Sequence, residues 1–255
     1  MLKVERTGRV CRLVLNRPEK RNALSGDLVD ELQLRFDEAF DDDGVKVIVL
    51  AAEGGVFCAG ADLATLDRLQ SATYEENVAD SGKLARLFLT IRNGGKAVLA
   101  AIHGHAIAGG CGLAGVCDIS VAVKSAQFGY TESRIGFVPA IVTKFLLEKV
   151  GETQTKKLLL TGRLITAAEA ERIGLITEAV ADEEFDQTIE KWVHTLVSKV
   201  SGESVAQTKT LINKVADLSV SKAVSEAVQV NALSRSTSDC RKGVRAFLNK
   251  ENIDW

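Results

Sequence analysis

Two glycine-rich segments, residues 56–63 and 104–113, most constrain the fold of this chain. Each follows an apolar, β-branched run and leads into a sequence with helical periodicity, which predicts a strand, a tight turn and a helix. Such a turn can present a free backbone N–H group near the start of a helix. Two N–H donors that converge on one point form an oxyanion hole, which stabilises negative charge on an acyl oxygen. The two segments together therefore predict enzyme chemistry on an activated acyl group.

Composition excludes several other classes of protein. The 255 residues suffice for one large domain, or a domain with an appendage, and 46% hydrophobic content supports a sizeable core. The net charge of −2 gives no general attraction to nucleic acid or to an anionic membrane, so neither partner is expected. No apolar stretch is long enough for a membrane span, and Met1–Arg6 lacks the apolar region of a signal peptide.

The cysteines and histidines predict neither disulfides nor a metal site. The five cysteines are irregularly spaced, and the three histidines form no ligand pattern with them. A reducing cytoplasm is therefore the expected location. The members that lie in or beside the glycine-rich segments are predicted to pack rather than to react: Cys58, Cys111, Cys117, His103 and His105.

Strands and helices alternate over the first part of the chain, which predicts parallel crossover connections. The predicted strands are Leu2–Arg6, Val10–Leu15, Val45–Ala51, Val98–Ile102, Ile119–Val123 and Gln127–Gly129. Helices are predicted from Ser25 to about Phe40 and over residues 73–92. After about residue 140 the pattern is helical except for an extended stretch over Leu175–Val180. We therefore predict an α/β core over residues 1–195 and a C-terminal helical region over residues 196–255.

The run Gly110–Gly115 matches G-x-G-x-x-G by letter. A dinucleotide site requires those glycines in the turn directly after the first strand, followed by an acid about 20 residues later. Here the glycines fall inside a helical pattern, several residues past the strand. The run is therefore interpreted as small residues that let a helix pack closely against the sheet.

Two acidic residues have alternative interpretations from sequence alone. Glu132 is an isolated acid at a strand-to-helix junction, where it could complement the helix dipole. Beside an apolar pocket it would instead have a raised pKa and could act as a general acid or base. Asp62 begins a predicted helix and is interpreted as its N-cap.

A collinear set of segments resembles the crotonase family, the enoyl-CoA hydratase/isomerase superfamily. The matching segments are residues 16–24, 57–63, 104–110, 117–119, 128–139, 160–163, 167–180 and 243–250. The resemblance implies a spiral core of ββα repeats, followed by C-terminal helices that build a homotrimer or a dimer of trimers. It also implies an acyl-coenzyme A thioester as substrate, and no separate cofactor because coenzyme A is part of that substrate.

The resemblance also implies roles for individual residues. Ala61 and Gly109 match the two oxyanion-hole residues, which act through backbone N–H, and Glu132 matches one of two catalytic glutamates. The positions that match coenzyme A contacts are Lys20, Arg21, Ala23, Ala59, Ala61, Asp62, Leu63, Phe247 and Lys250. In the family the C-terminal pair often reaches coenzyme A across a subunit boundary.

Gly112 is the main departure from the family pattern, since typical hydratases read Cys-Glu-Leu at residues 111–113. A glycine in place of this glutamate removes a negative charge, and we expect it to leave free space beside the acyl chain. A substrate carboxylate would be tolerated there. Residues 131–140, taken together with Gly112, resemble the corresponding positions of bacterial methylglutaconyl-CoA hydratases, which act in leucine catabolism. The sequence therefore predicts a hydratase, or the reverse dehydratase, for a branched glutaconyl-type ester.

Some roles at this site have more than one candidate. Tyr130 is a candidate for orienting water in place of a second carboxylate. Lys83 and Arg86 are either contacts for a substrate carboxylate or ordinary solvated helix charges.

Two alternative functions remain open from sequence. An enoyl-CoA isomerase moves a double bond with a single acid–base residue, a task that suits Glu132 alone. A non-catalytic relative that binds acyl-CoA or RNA is the second alternative, although no RNA-binding module motif is present.

Overall fold

The computed structural model describes residues 1–255, in which ten strands and ten helices follow one another. The strands are β1 Leu2–Thr7, β2 Val10–Leu15, β3 Val47–Ala52, β4 Val56–Cys58, β5 Ala97–Ile102, β6 His105–Ile107, β7 Ile119–Val123, β8 Gln127–Gly129, β9 Leu164–Thr166 and β10 Glu178–Val180. The helices are α1 Gly26–Asp41, α2 Leu63–Leu69, α3 Tyr74–Asn93, α4 Gly109–Val116, α5 Ala140–Thr161, α6 Ala167–Arg172, α7 Phe185–His194, α8 Gly202–Val215, α9 Val220–Ser234 and α10 Ser238–Asn249.

The larger sheet contains six strands in the order β1-β2-β3-β5-β7-β10. The hairpin β1–β2 is antiparallel, and every other pair in this sheet is parallel, as the alternating pattern predicted. Strand β5 is buried along its whole length and β3 over its first four residues. Both strands are nearly continuous apolar runs, because a parallel sheet is covered on both faces.

The smaller sheet, in the order β4-β6-β8-β9, positions the candidate site. Strands β4, β6 and β8 are parallel, and β9 closes the sheet in the antiparallel direction. Because parallel strands end at the same edge of a sheet, the segments that leave them meet there. These segments are residues 59–61 after β4, 108–109 after β6 and 130–132 after β8. We call this edge of the smaller sheet the strand-end edge.

Helix α1 confirms the predicted amphipathic helix. The Ser25 hydroxyl caps it by accepting a hydrogen bond from the Leu28 N–H at 3.3 Å. Leu28, Leu32 and Phe36 recur at helical spacing and are fully buried, and α1 packs against α3. The predicted helix over residues 73–92 is also confirmed, and Thr73 and Glu76 form a capping box at its start.

Several elements differ from the prediction. Helix α5 was covered only by the general helical pattern beyond residue 140, and it is interrupted at Gly151, whose φ is 75°. The three-residue strands β4, β6 and β9 were not predicted, because three residues are too few to show alternation. Only the last half of the extended stretch 175–180 forms a strand.

The C-terminal region consists of α8, α9 and α10, which follow a π-helical turn over Thr195–Lys199. The Lys46 ammonium donates to the carbonyls of Val197 and Val200, each at 2.6 Å, and so fixes this turn to the core. The division at residue 195/196 and the trimer stay predictions. None of the helices combines the length and the apolar character that a membrane span requires.

Candidate active site

A cavity of about 220 Å³ opens at the strand-end edge, between α2, α3 and the start of α5. Most of its lining residues are hydrophobic. Ala61, Gly109 and Glu132 all line it, so the fold brings together the three residues that the sequence predicted to be catalytic.

The two glycine-rich segments touch at Gly60. Its φ is 89°, and a Cβ at this position would lie 2.6 Å from the Ala108 Cβ and 3.2 Å from the Gly109 nitrogen. Both the backbone conformation and the close approach therefore require glycine. This contact sets Ala61, the next residue, beside the start of α4.

The backbone N–H groups of Ala61 and Gly109 have no acceptor within the protein. Around Ala61, the Leu24 N–H donates to the Gly60 carbonyl at 2.7 Å and the Asp62 N–H donates to the Leu24 carbonyl at 3.1 Å. In this parallel bridge the Ala61 N–H is directed away from Leu24. Gly109 is the first residue of α4, where helical N–H groups have no partner within the helix. Both groups are free to donate to a ligand oxygen.

A partly buried ion pair fixes the residue after the Ala61 donor. The Arg17 guanidinium contacts the Asp62 carboxylate at 3.1 Å and donates to the Ala23 carbonyl at 2.8 Å. Asp62 also accepts from the Ala64 N–H at 3.0 Å, which confirms it as the N-cap of α2. Burial raises the pKa of Asp62, but the hydrogen bonds from Arg17 and Ala64 outweigh it and lower the pKa overall.

Glu132 begins a short 3-10 helix directly beyond β8. Its Oε2 atom is buried without any hydrogen-bond partner. Burial raises the pKa of this carboxyl above its ordinary value, and a hydrogen bond from its own backbone N–H opposes the rise only partly. A carboxyl with a raised pKa in a ligand cavity is suited to accept a proton and return it.

The interpretation of Gly112 as freed space beside the acyl chain is wrong. A Cβ at this position would lie 2.5 Å from the Val142 Cγ1 and 3.0 Å from the Phe88 Cε2. Gly112 does not line the main cavity, whereas Val142 does. Two residues that are distant in sequence fill the space, so the chain near Gly112 carried no signal of it.

Tyr130 is not placed to orient water, contrary to that candidate role. It is almost fully buried, does not line the main cavity, and its hydroxyl lies beside Cys111 and Gly115. Cys58, Cys111 and Cys117 are buried as predicted, and burial raises the pKa of Cys58 and Cys111 to about 12. Neither thiol is a nucleophile at neutral pH.

The two histidines at the second glycine-rich segment hold loops together, as predicted. His103 bonds to the Gly54 carbonyl at 2.6 Å, and His105 accepts from the Gln127 N–H at 3.1 Å.

Lys83 and Arg86 differ in position. Lys83 lines the cavity from α3 and pairs with Asp30 at 2.6 Å, and both side chains are about half exposed. Asp80 lines the cavity nearby and, with Asp30, raises the pKa of Lys83. Arg86 does not line the cavity. The interpretation of Lys83 as a solvated helix charge agrees with this exposure.

Of the predicted coenzyme A contacts, Ala59, Ala61 and Leu63 line the cavity. Lys20, Arg21 and Ala23 lie in the turn that supports the cavity, and Asp62 is the N-cap of α2, where it contacts Arg17 of that turn. The Arg21 carbonyl accepts from the Ala59 N–H at 3.0 Å, which joins this turn to the first glycine-rich segment.

Sequence reasoning missed the anchor of that turn, Asn22. Asn22 is fully buried, and its side-chain amide donates to the carbonyls of Glu53 and Val56, both at 2.8 Å. Its φ of 53° is left-handed, a conformation that asparagine tolerates. The available signal was an asparagine that follows three charged residues and directly precedes the apolar pair Ala23 and Leu24.

Phe247 and Lys250 lie at the end of α10 and do not reach the cavity of their own chain. Phe247 is 84% exposed. The structure therefore does not bring this pair to the other predicted site residues within one chain.

Comparison with known proteins places this geometry in a family. The enoyl-CoA hydratase/isomerase family model matches residues 5–255. A Thermus thermophilus protein with a provisional enoyl-CoA hydratase name is 40% identical over 98% of both chains. The 2,3-dehydroadipyl-CoA hydratase of Escherichia coli is 31% identical over 99% of this chain and 97% of its own. An enoyl-CoA hydratase structure from Mycobacterium smegmatis superimposes with a TM-score of 0.93 at 30% identity, covering 100% of this chain and 98% of that one.

Proposed function

Because the chain belongs to the enoyl-CoA hydratase/isomerase family, we propose that it adds water to an enoyl-CoA thioester, or removes water in the reverse direction. The observation that carries the proposal is the Glu132 carboxyl, whose Oε2 atom has no partner, in a mostly apolar cavity that Ala61 and Gly109 also line. The names of the relatives support a hydratase more than an isomerase.

In the proposed reaction Glu132 moves both protons. Its carboxylate takes a proton from water as the water oxygen bonds to the β-carbon of the alkene. The electron pair of the double bond moves toward the thioester oxygen and forms an enolate. The protonated Glu132 then donates its proton to the α-carbon, which restores the carbonyl and the carboxylate.

The negative charge of the enolate lies on the thioester oxygen, where the N–H groups of Ala61 and Gly109 would donate. Both groups are fixed before substrate binds, by the Leu24 bridge and by the start of α4. Loss of one such donor typically costs about 10² to 10³ in rate. An S-alkyl coenzyme A thioether, which lacks the carbonyl, should therefore bind more weakly than the matching thioester.

Turnover of crotonyl-CoA by the purified protein and by Glu132→Gln tests the proposal. The parent should yield a product heavier by one water, and the variant should be almost inactive. A product of unchanged mass with a shifted double bond would establish the isomerase instead. No turnover of any enoyl-CoA ester by the parent would favour a non-catalytic relative.

For the acyl chain we keep the branched glutaconyl-type ester as the finer proposal. It is supported by the similarity of residues 131–140 to methylglutaconyl-CoA hydratases, by the name of the Escherichia coli relative, whose substrate carries a distal carboxylate, and by Lys83 in the cavity wall. The pairing of Lys83 with Asp30 weighs against it. A higher kcat/KM for crotonyl-CoA than for 3-methylglutaconyl-CoA would refute this substrate.

The predicted trimer, or dimer of trimers, remains part of the proposal. Phe247 and Lys250 are supported as contacts for coenzyme A bound to a neighbouring subunit by their exposure and by their distance from the cavity in their own chain. Lys250→Ala should raise KM with little change in kcat, and light scattering should give three or six chains. A monomer with unaltered kinetics in Lys250→Ala would exclude this role.

A further inference from the structure

We propose that Val142 is the specificity-determining residue of this site, because its isopropyl group, backed by the Phe88 ring, gives the cavity a fixed alkyl wall over Gly112. This inference rests on the proposed function and names the residue that selects the acyl group. The feature selected is the size of the alkyl portion of the acyl group that packs against that wall.

The wall is tightly packed. A Cβ on Gly112 would overlap the Val142 Cγ1 at 2.5 Å and crowd the Phe88 ring at 3.0 and 3.1 Å. Val142 is 4% exposed and Phe88 is fully buried. Phe88 packs edge-on against Phe145, with ring centres 5.8 Å apart, so the ring is supported on that side.

Val142 separates two spaces. On one side it lines the main cavity together with Glu132, and on the other it borders a void of about 10 Å³ that Gly112 also lines. That void is no larger than the roughly 10–15 Å³ that one water molecule requires. The wall is therefore closely packed on the side of α4, where the void has room for one water molecule at most.

Few of the residues that line the cavity beside this wall are charged. Apart from Glu132, the ionisable residues that line the cavity are Asp80 and Lys83, both on α3. Lys83 is already paired with Asp30. An alkyl contact at Val142 therefore discriminates between acyl groups by size, where one methylene changes kcat/KM by about 10- to 200-fold.

The packing is tested by thermal unfolding of Gly112→Ala against the matched control Gly115→Ala on the same helix. Alanine is favoured over glycine inside a helix. A Cβ at Gly115 would lie 3.8 Å from the Tyr130 hydroxyl, an ordinary contact, so the control should hold or raise Tm. Gly112→Ala should lower Tm, and adding Val142→Ala should recover part of that loss. Equal Tm changes in the two single variants would contradict the tight packing of Val142 and Phe88 over Gly112.

The selectivity is tested by the ratio of kcat/KM for 3-methylcrotonyl-CoA to that for crotonyl-CoA. Val142→Ala should raise this ratio at least about tenfold, because it removes two methyl groups from the wall. A ratio within twofold of the parent, in a folded and active variant, would overturn the proposal. Failure of the hydratase function itself would appear differently, as a parent that hydrates neither ester while the Tm comparison stays informative.

Discussion

The two ends of helix α4 treat polar groups in opposite ways. At the C-terminal end the Lys149 ammonium donates to the Gly115 carbonyl at 2.6 Å. The carboxylate of Asp118, just beyond the helix, accepts from the Lys209 ammonium at 2.8 Å and from the Val98 N–H at 2.7 Å. Each of these groups, of which Lys209 is buried, has a partner within the protein.

At the N-terminal end the corresponding groups have none. The Gly109 N–H has no acceptor, and the Glu132 Oε2 has no donor. Burial raises the pKa of both Asp118 and Glu132, but only Asp118 has a cation to oppose the rise. A buried polar group without a partner costs free energy, so a fold retains it where a ligand supplies the partner.

The largest effect expected from this contrast is on catalysis. Glu132→Gln removes the proton-transfer group and keeps the size of the side chain, so kcat should fall by about 10² to 10⁴. In the parent, kcat/KM should decline as pH falls through the raised pKa of Glu132, because the carboxylate is the active form. Stopped-flow measurement of the enoyl absorbance across pH gives kcat for the variant and the pH profile of kcat/KM for the parent. A decline centred below the ordinary value of 4.5 would contradict the assignment.

The same variant also probes stability. A raised folded-state pKa means that Glu132 stabilises the fold most at acidic pH and that this contribution is lost as pH rises through the folded pKa. Glu132→Gln should therefore have a higher Tm than the parent at neutral pH, with the difference shrinking toward acid. A lower Tm at neutral pH would show that the carboxylate has a stabilising partner.

The next effect is on the satisfied end of α4. Asp118→Asn leaves the Lys209 ammonium, whose side chain is only 8% exposed, without its counter-ion. The free energy of unfolding should fall by about 2–4 kcal/mol, since breaking a buried pair leaves an uncompensated charge. Denaturant unfolding measures this, and kcat per folded molecule should stay near the parent value. A large loss of kcat with unchanged stability would contradict the assignment of Asp118 to the stability of the fold.

A smaller effect on stability and rate is expected at the ion pair of Arg17 and Asp62, which lies next to the Ala61 N–H that has no acceptor. Arg17→Met should cost about 1–3 kcal/mol of stability, because Asp62 is left partly buried without its partner. It should lower kcat by roughly threefold to tenfold, because the neighbouring Ala61 N–H is displaced.

The pH dependence of this stability loss identifies Asp62 as its source. The folded-state pKa of Asp62 is lowered, so the pair stabilises the fold above the unfolded pKa and ceases to do so as pH falls through the folded pKa. The deficit of Arg17→Met should therefore shrink below about pH 4. A deficit that is constant from neutral to acidic pH would point to lost packing instead.

The smallest effect is expected at the rim of the cavity. Lys83 and Asp30 are both about half exposed, and such surface pairs contribute little to stability. Lys83→Ala should leave Tm within about 2 °C of the parent. Its effect on kcat/KM should be confined to esters with a distal carboxylate, if the glutaconyl-type proposal holds. Equal losses on crotonyl-CoA would assign Lys83 a general role in the site.

The parts of the fold that could be predicted are those with a repeating local pattern. Helix α1 shows Leu28, Leu32 and Phe36 at helical spacing, and α3 carries its capping box. Helix α5 had no such signal because Gly151 divides it into two pieces and its apolar residues do not form one stripe. The three-residue strands of the smaller sheet are specified by tertiary pairing rather than by alternation.

The site was predictable where its groups belong to local segments. The glycines near Ala61 and Gly109 indicate that two backbone segments approach closely. Glu132 is recognisable as an isolated acid at a turn. The packing over Gly112 was not predictable, because Val142 and Phe88 come from two other helices. Asn22 and Arg17 support the donors through contacts that only the folded loop creates.

The repeat distance of the smaller sheet limits which molecules can react. Neighbouring strands of a sheet lie about 4.8 Å apart. The two donors come from the adjacent strands β4 and β6, and the acid comes from β8, the next one across. A ligand oxygen held by the two donors therefore lies about one to two strand spacings from the segment that carries the acid. The acid is placed to exchange protons with atoms near that oxygen and not with atoms far along a bound chain.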